Sequence, residues 1–130
     1  MKNIFSQEVT QEIIDRIHKL TPKTQRQWGK MNAAQMLAHC NASLETAMGK
    51  NVIKRLIISG IIGSMLKKGV LSEKPFGKNS PTDKSYIFPE NVDFEEVRSN
   101  AKSSVQKFFE GGPAQCTTYP HPFFGKFTPE

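Results

Sequence analysis

The chain is poor in the residues that most readily declare a chemistry. It carries two cysteines (Cys40 and Cys116), three histidines (His18, His39 and His121) and one tryptophan, Trp28. Two cysteines so far apart form neither a disulfide framework nor a metal-type spacing. Acid is the scarcer charge: 12 Asp+Glu against 18 Lys+Arg give a net +6. An excess of that size needs no more than a solvated basic surface. The lysines are scattered through loops, with neither a stacking platform nor a groove-entering helix, so no specific nucleic-acid binding is expected. Long apolar runs are missing too. The longest, LIISGIIGSML at 56–66, is too short to span a bilayer, so no membrane span is expected. The start MKNIFSQEVTQ has no apolar core of a secretory signal, which points to a reducing cytoplasm and free thiols. Internal repeats are absent, and the single glycine of KPFGKN is followed by no helix start, so no phosphate cradle is expected there.

What remains is enough for one domain over 1–130. Apolar residues make up 37% of the 130, with nine phenylalanines, and a chain of this length buries roughly two thirds of its unfolded surface. Val9, Ile13, Ile17 and Leu20 recur at helical spacing and predict a helix over about 7–20, started by Ser6 or Thr10 and closed by Thr21-Pro22. His18 lies one residue off that stripe, as a solvated or boundary side chain.

A second helix is expected from Asn32, which with Gln35 makes a capping-box start, to the left-handed stop at Gly49. Ala33, Met36, Leu37, Cys40, Leu44 and Ala47 would form its apolar face. His39 falls at the rim of that face beside Met36, with Gln35 and Ser43 a turn to either side. Two readings of His39 stand here: a boundary histidine bonded to a neighbouring carbonyl, or a ligand looking into a bundle interior. Residues 52–68 predict a buried helix or helix pair interrupted by Gly60 and Gly63. A long connection rich in Pro, Gly, Ser and Lys follows, and within it SYIF (85–88) is the only short strand candidate. Asp93 with Glu96 makes a second capping box, flanked by Val92 and Val97 as a hydrophobic staple. Phe94, Val97, Ala101, Val105 and Phe108 then line one face until Gly111-Gly112-Pro113. The pattern is all-α.

The last three residues, Thr128-Pro129-Glu130, have the form of a helix opening, with a capping hydroxyl, a proline for the first position and an acid in the first turn. Three segments, LTPKTQRQWGKMNAAQMLAHC, KPFGKN and above all HPFFGKFTPE, resemble a domain-of-unknown-function branch of the DinB-like (YfiT-like) superfamily. The resemblance spans nearly the whole chain and implies an up-down four-helix bundle. It also implies a metal-dependent enzyme, of hydrolase or thiol S-transferase type, with a three-histidine site for a divalent metal such as zinc or nickel. One ligand of that pattern, the histidine of QMLAHC, maps to His39. The other two belong to a paired-histidine motif on a last helix that would follow Glu130. The resemblance therefore implies a chain shortened by its fourth helix, with an incomplete metal site that would not hold metal stoichiometrically. Gln35 would stand behind the ligand, and Trp28, His121 and Phe123 would line a pocket, with ordinary core packing the favoured reading of Trp28 and Phe123. Catalytic residues and the small-molecule substrate are unassigned. The alternative is a non-catalytic helical interaction module that forms a homodimer through an exposed apolar groove.

Overall fold

The computed structural model describes residues 2–51, 67, 77–121, 126 and 128. Among these residues there are three α-helices, α1 (Gln7–Lys19), α2 (Ala33–Ala47) and α3 (Phe94–Gly111). Two 3-10 turns, Lys84–Tyr86 and Pro113–Gln115, accompany them, and there is no β-strand. No helix among the described residues is long and apolar enough to cross a membrane. The helix expected over 52–68 lies outside the described residues except for Lys67. The helix opening at 128–130 lies outside them except for Thr128. A fourth long helix is thus not among the described elements.

The helix ends follow from local chemistry. Asn32 Oδ1 accepts the Gln35 amide at 2.8 Å, and Gln35 Oε1 accepts the Asn32 amide at 2.9 Å, a reciprocal capping box. Gly49 closes α2 at φ +75°, and a side chain there would press on Thr117, 3.2 Å away. Asp93 Oδ1 accepts the Glu96 amide at 2.7 Å to start α3, and Gly112 at φ +59° ends it. Ser6 takes the first position of α1 but makes no side-chain capping bond. Thr10 is buried and donates its hydroxyl to the Ile4 carbonyl at 2.8 Å, which ties the entering chain to the helix. At the other end of α1 the Arg98 guanidinium donates to the Leu20 carbonyl at 3.5 Å, a cation at the negative end of the helix.

α3 is the central helix: α1 and α2 each lie against it rather than against each other. The core is Ala33, Ala34, Leu37, Phe94 and Ala101, with Ile17, Leu20, Met36, Val92 and Val97 packed around it. Val92 and Val97 both pack against this core. Further along α3, Phe108 is buried and stacks on Phe5, ring centroids 5.3 Å apart.

Two expectations are corrected. The buried face of α2 is Ala33, Ala34, Leu37, Ala38 and Ala42, and Cys40 is exposed. At 100° per residue this face is turned by roughly a quarter turn from the one expected. Alanine scores as only weakly apolar, yet its small side chain lets α3 come close, and α3 answers with Ala101 and Ser104. The segment SYIF is not a strand. Lys84–Tyr86 is a 3-10 turn started by Asp83, and the chain extends only from Ile87, at φ −100° and ψ 123°.

Candidate functional site

The side of α2 away from the core carries a stripe of polar side chains at spacings of three, four and seven: Asn32, Gln35, His39 and Thr46. Those intervals keep all four on one helical face. The chain after the Lys84–Tyr86 turn runs across this face in the opposite direction. Asn32 Nδ2 donates to the Glu90 carbonyl at 3.0 Å, and Gln35 Nε2 to the Phe88 carbonyl at 2.7 Å. His39 Nδ1 meets the Tyr86 carbonyl at 3.2 Å. The acceptors are alternate residues, and alternate carbonyls of an extended chain point the same way. Two extended residues advance about 6.6 Å, while one helical turn advances about 5.4 Å. The two periods match closely enough for three successive bonds. The segment is a strap fastened by side-chain donors, not by a neighbouring strand.

Tyr86 is tied at both ends. Its hydroxyl donates to Thr46 Oγ1 at 3.0 Å, and the Thr46 hydroxyl donates in turn to the Ala42 carbonyl at 3.0 Å. The Tyr86 ring stands edge-on to the His39 imidazole, centroids 5.8 Å apart at 74°. Tyr86 itself is 8% exposed. Asp83 Oδ1 accepts both the amide and the hydroxyl of Ser85, at 2.9 and 2.6 Å, which fixes the turn that delivers Tyr86. Those two bonds hold the exposed Asp83 carboxyl below the usual carboxylate range.

A carbonyl oxygen can only accept, so the contact with Tyr86 is a hydrogen bond in the form that carries its proton on His39 Nδ1. In the neutral ring Nε2 is then left with its lone pair. His39 is half-buried at the edge of the strap, which is the geometry of a boundary histidine bonded to a neighbouring carbonyl. It is also the arrangement by which a carbonyl behind an imidazole prepares the far nitrogen to bind a metal. Gln35 has both ends of its amide engaged, one by Asn32 and one by Phe88.

The strap groups Gln35 with His39, and the other named residues stand elsewhere. Trp28 is 56% exposed in the connection before α2, with the Lys78 ammonium 5.6 Å from its ring centre. His121 follows the Pro113–Gln115 turn in a segment anchored by the Thr117 amide, which donates to the Ala47 carbonyl at 2.8 Å. It is half-buried, and burial pushes its imidazole pKa down. Phe123 lies outside the described residues, and His18 is exposed on α1. Among the described residues no group of three His, Cys, Asp or Glu side chains could hold a metal ion. Tyr86 and Thr46 were not foreseen. The signal for Thr46 was present in the polar stripe of α2, seven residues beyond His39.

Residues 5–130 match the model of one family, described as protein of unknown function (DUF1569). No curated protein and no solved structure matches the chain.

Proposed function

The chain belongs to the DUF1569 family, and from that premise we propose that His39 is a ligand of a divalent metal, zinc or nickel in type, in a DinB-like helical domain with metal-dependent chemistry. One observation carries this: the bond from Nδ1 to the Tyr86 carbonyl, which leaves Nε2 as the bare nitrogen. The fit extends to one ligand. The described residues supply no group of three ligands, so no step of a reaction is assigned to them. A metal held there would supply Lewis-acid activation of water or a thiol, which covers both hydrolase and thiol S-transferase chemistry. Gln35 supports the site from behind by holding the strap.

The test is titration of the purified protein with zinc and with nickel, beside His39→Ala and His18→Ala. His39→Ala is expected to weaken binding at least tenfold, and His18→Ala to leave it unchanged. Equal binding by wild type and His39→Ala would overturn the reading. It would favour a non-catalytic interaction module, whose homodimer sedimentation would then reveal.

A further inference from the structure

We propose that Tyr86 is a positioning residue that sets which nitrogen of His39 carries the proton, through its buried phenol–threonine anchor. The inference deepens the metal-ligand reading of His39 and takes its functional meaning from it, but its physical content holds without metal.

Tyr86 contacts α2 at two points seven residues apart, about 10.5 Å along a helix. Its carbonyl faces His39 Nδ1, and its hydroxyl reaches Thr46 Oγ1. Thr46 is not a free rotor: its own proton goes to the Ala42 carbonyl, so its lone pair is turned toward the phenol. The turn before Tyr86 is closed by the Tyr86 amide donating to the Asp83 carbonyl at 3.0 Å and the Ile87 amide donating to the Lys84 carbonyl at 3.1 Å. The peptide unit that carries the Tyr86 carbonyl can turn only by breaking the Ile87 amide bond to Lys84, and the phenol bond to Thr46 holds the Tyr86 Cα from which that unit hangs, so the carbonyl stays on His39. The tautomer with its proton on Nε2 would set the Nδ1 lone pair against the carbonyl lone pairs. The strap therefore selects the Nδ1–H form. At 3.2 Å the imidazole bond is the longest of the three rungs, against 2.7 Å at Gln35 and 3.0 Å at Asn32. It is accordingly the rung most dependent on an anchor. A cap or a packed aromatic ring would hold the strap equally well but would have no preference between the two imidazole nitrogens.

The experiment is long-range proton–nitrogen correlation NMR of 15N-histidine-labelled protein above the imidazole titration range, without metal. Wild-type His39 is expected to be protonated at Nδ1. Tyr86→Phe and Thr46→Ala are expected to move it toward the Nε2–H form, and Thr46→Ser, which keeps the hydroxyl, to retain the wild-type state. Zinc affinity should follow, falling roughly tenfold in Tyr86→Phe, within the range seen when a group behind a ligand is lost, and recovering in Thr46→Ser. Protonation at Nε2 in the wild type overturns the proposal. So does an unchanged tautomer in folded Tyr86→Phe. If Tyr86→Phe does not fold, the Thr46→Ala and Thr46→Ser pair decides by the same criterion. A tautomer shift in protein that binds no zinc supports the positioning role and overturns only the metal reading.

Discussion

The two sides of α2 are held by different physics. Toward α3 the helix presents alanines and Leu37, which is 2% exposed, and the contact is close packing of small side chains. Toward the strap it presents Asn32, Gln35, His39 and Thr46, and the contact is a row of hydrogen bonds to backbone carbonyls and one phenol. Packing is non-directional and sums over area, so the α3 side fixes that the helix docks. Hydrogen bonds are directional and specify individual atoms, so the strap side fixes what each donor points at. The candidate site lies on the second side, where one donor of the row is an imidazole with a further nitrogen to offer.

On the packed side of α2 the largest effect is expected at Leu37. Removing its side chain leaves a cavity between α2 and α3, and Leu37→Ala is expected to cost about 3 kcal/mol, within the range for buried leucines. Chemical denaturation measures this. The decisive addition is the His39 tautomer in the folded variant, expected to match the wild type because the strap is untouched. A changed tautomer would mean that the two sides of α2 are coupled. A loss below about 1 kcal/mol would mean that the seam relaxes around the gap.

On the strap side the next largest effect is expected at Asn32. It serves twice, as the cap of α2 through Oδ1 and as the first rung of the strap through Nδ2. Asn32→Ala is expected to cost about 1–2 kcal/mol, the usual value of a cap with a further hydrogen bond. Asn32→Asp keeps the capping oxygen and replaces the donor by a second carboxylate oxygen facing the Glu90 carbonyl, so it should retain the cap and lose the rung. A loss equal to that of Ala would mean that the strap side, lost rung and oxygen–oxygen repulsion together, outweighs the cap.

The legible parts of the molecule were those written in local grammar. The Asn32–Gln35 box, Gly49 and Gly112 are each dictated by residues within a turn of one another and appear where the sequence puts them, and of the box expected at Asp93 and Glu96 the Asp93 half forms. The buried face of α2 was misjudged because Met36, Cys40 and Leu44 outweigh Ala34, Ala38 and Ala42 on any hydrophobicity scale. Which stripe is buried depends instead on how near α3 can come. The strap was harder still. Its acceptors are the carbonyls of residues 86, 88 and 90, and backbone carbonyls leave no mark on a sequence. The donors were visible as a polar stripe at spacings of three, four and seven, but nothing local said what lay some 50 residues ahead to receive them. His39 was singled out by its position, whereas its proton is assigned by Tyr86.

A second comparison, between two half-buried histidines, yields the smallest expected effect. His39 is oriented by a carbonyl, whereas the pKa of His121 is lowered by burial, which disfavours the charged ring. A histidine whose pKa is lower in the folded state than in the unfolded chain binds fewer protons folded than unfolded between the two values. Stability then rises with pH across that interval. The contribution is fully present above the unfolded value of about 6.5 and is lost as pH falls through the lower, folded value. Glu12, held down by its hydrogen bond and ion pair with Lys2, and Asp83, held down by Ser85, have the same sign in a separate window. Their contributions are present above the ordinary carboxylate range of about 4 and vanish only on strong acidification. Between about pH 7.5 and pH 5.5, acidification should therefore lower the melting temperature of the wild type gently, and His121→Asn should flatten that decline. Thermal melts of both proteins across the interval measure it. An equal slope in the two would mean that His121 keeps its water in the folded chain and that the segment after Thr117 does not bury it.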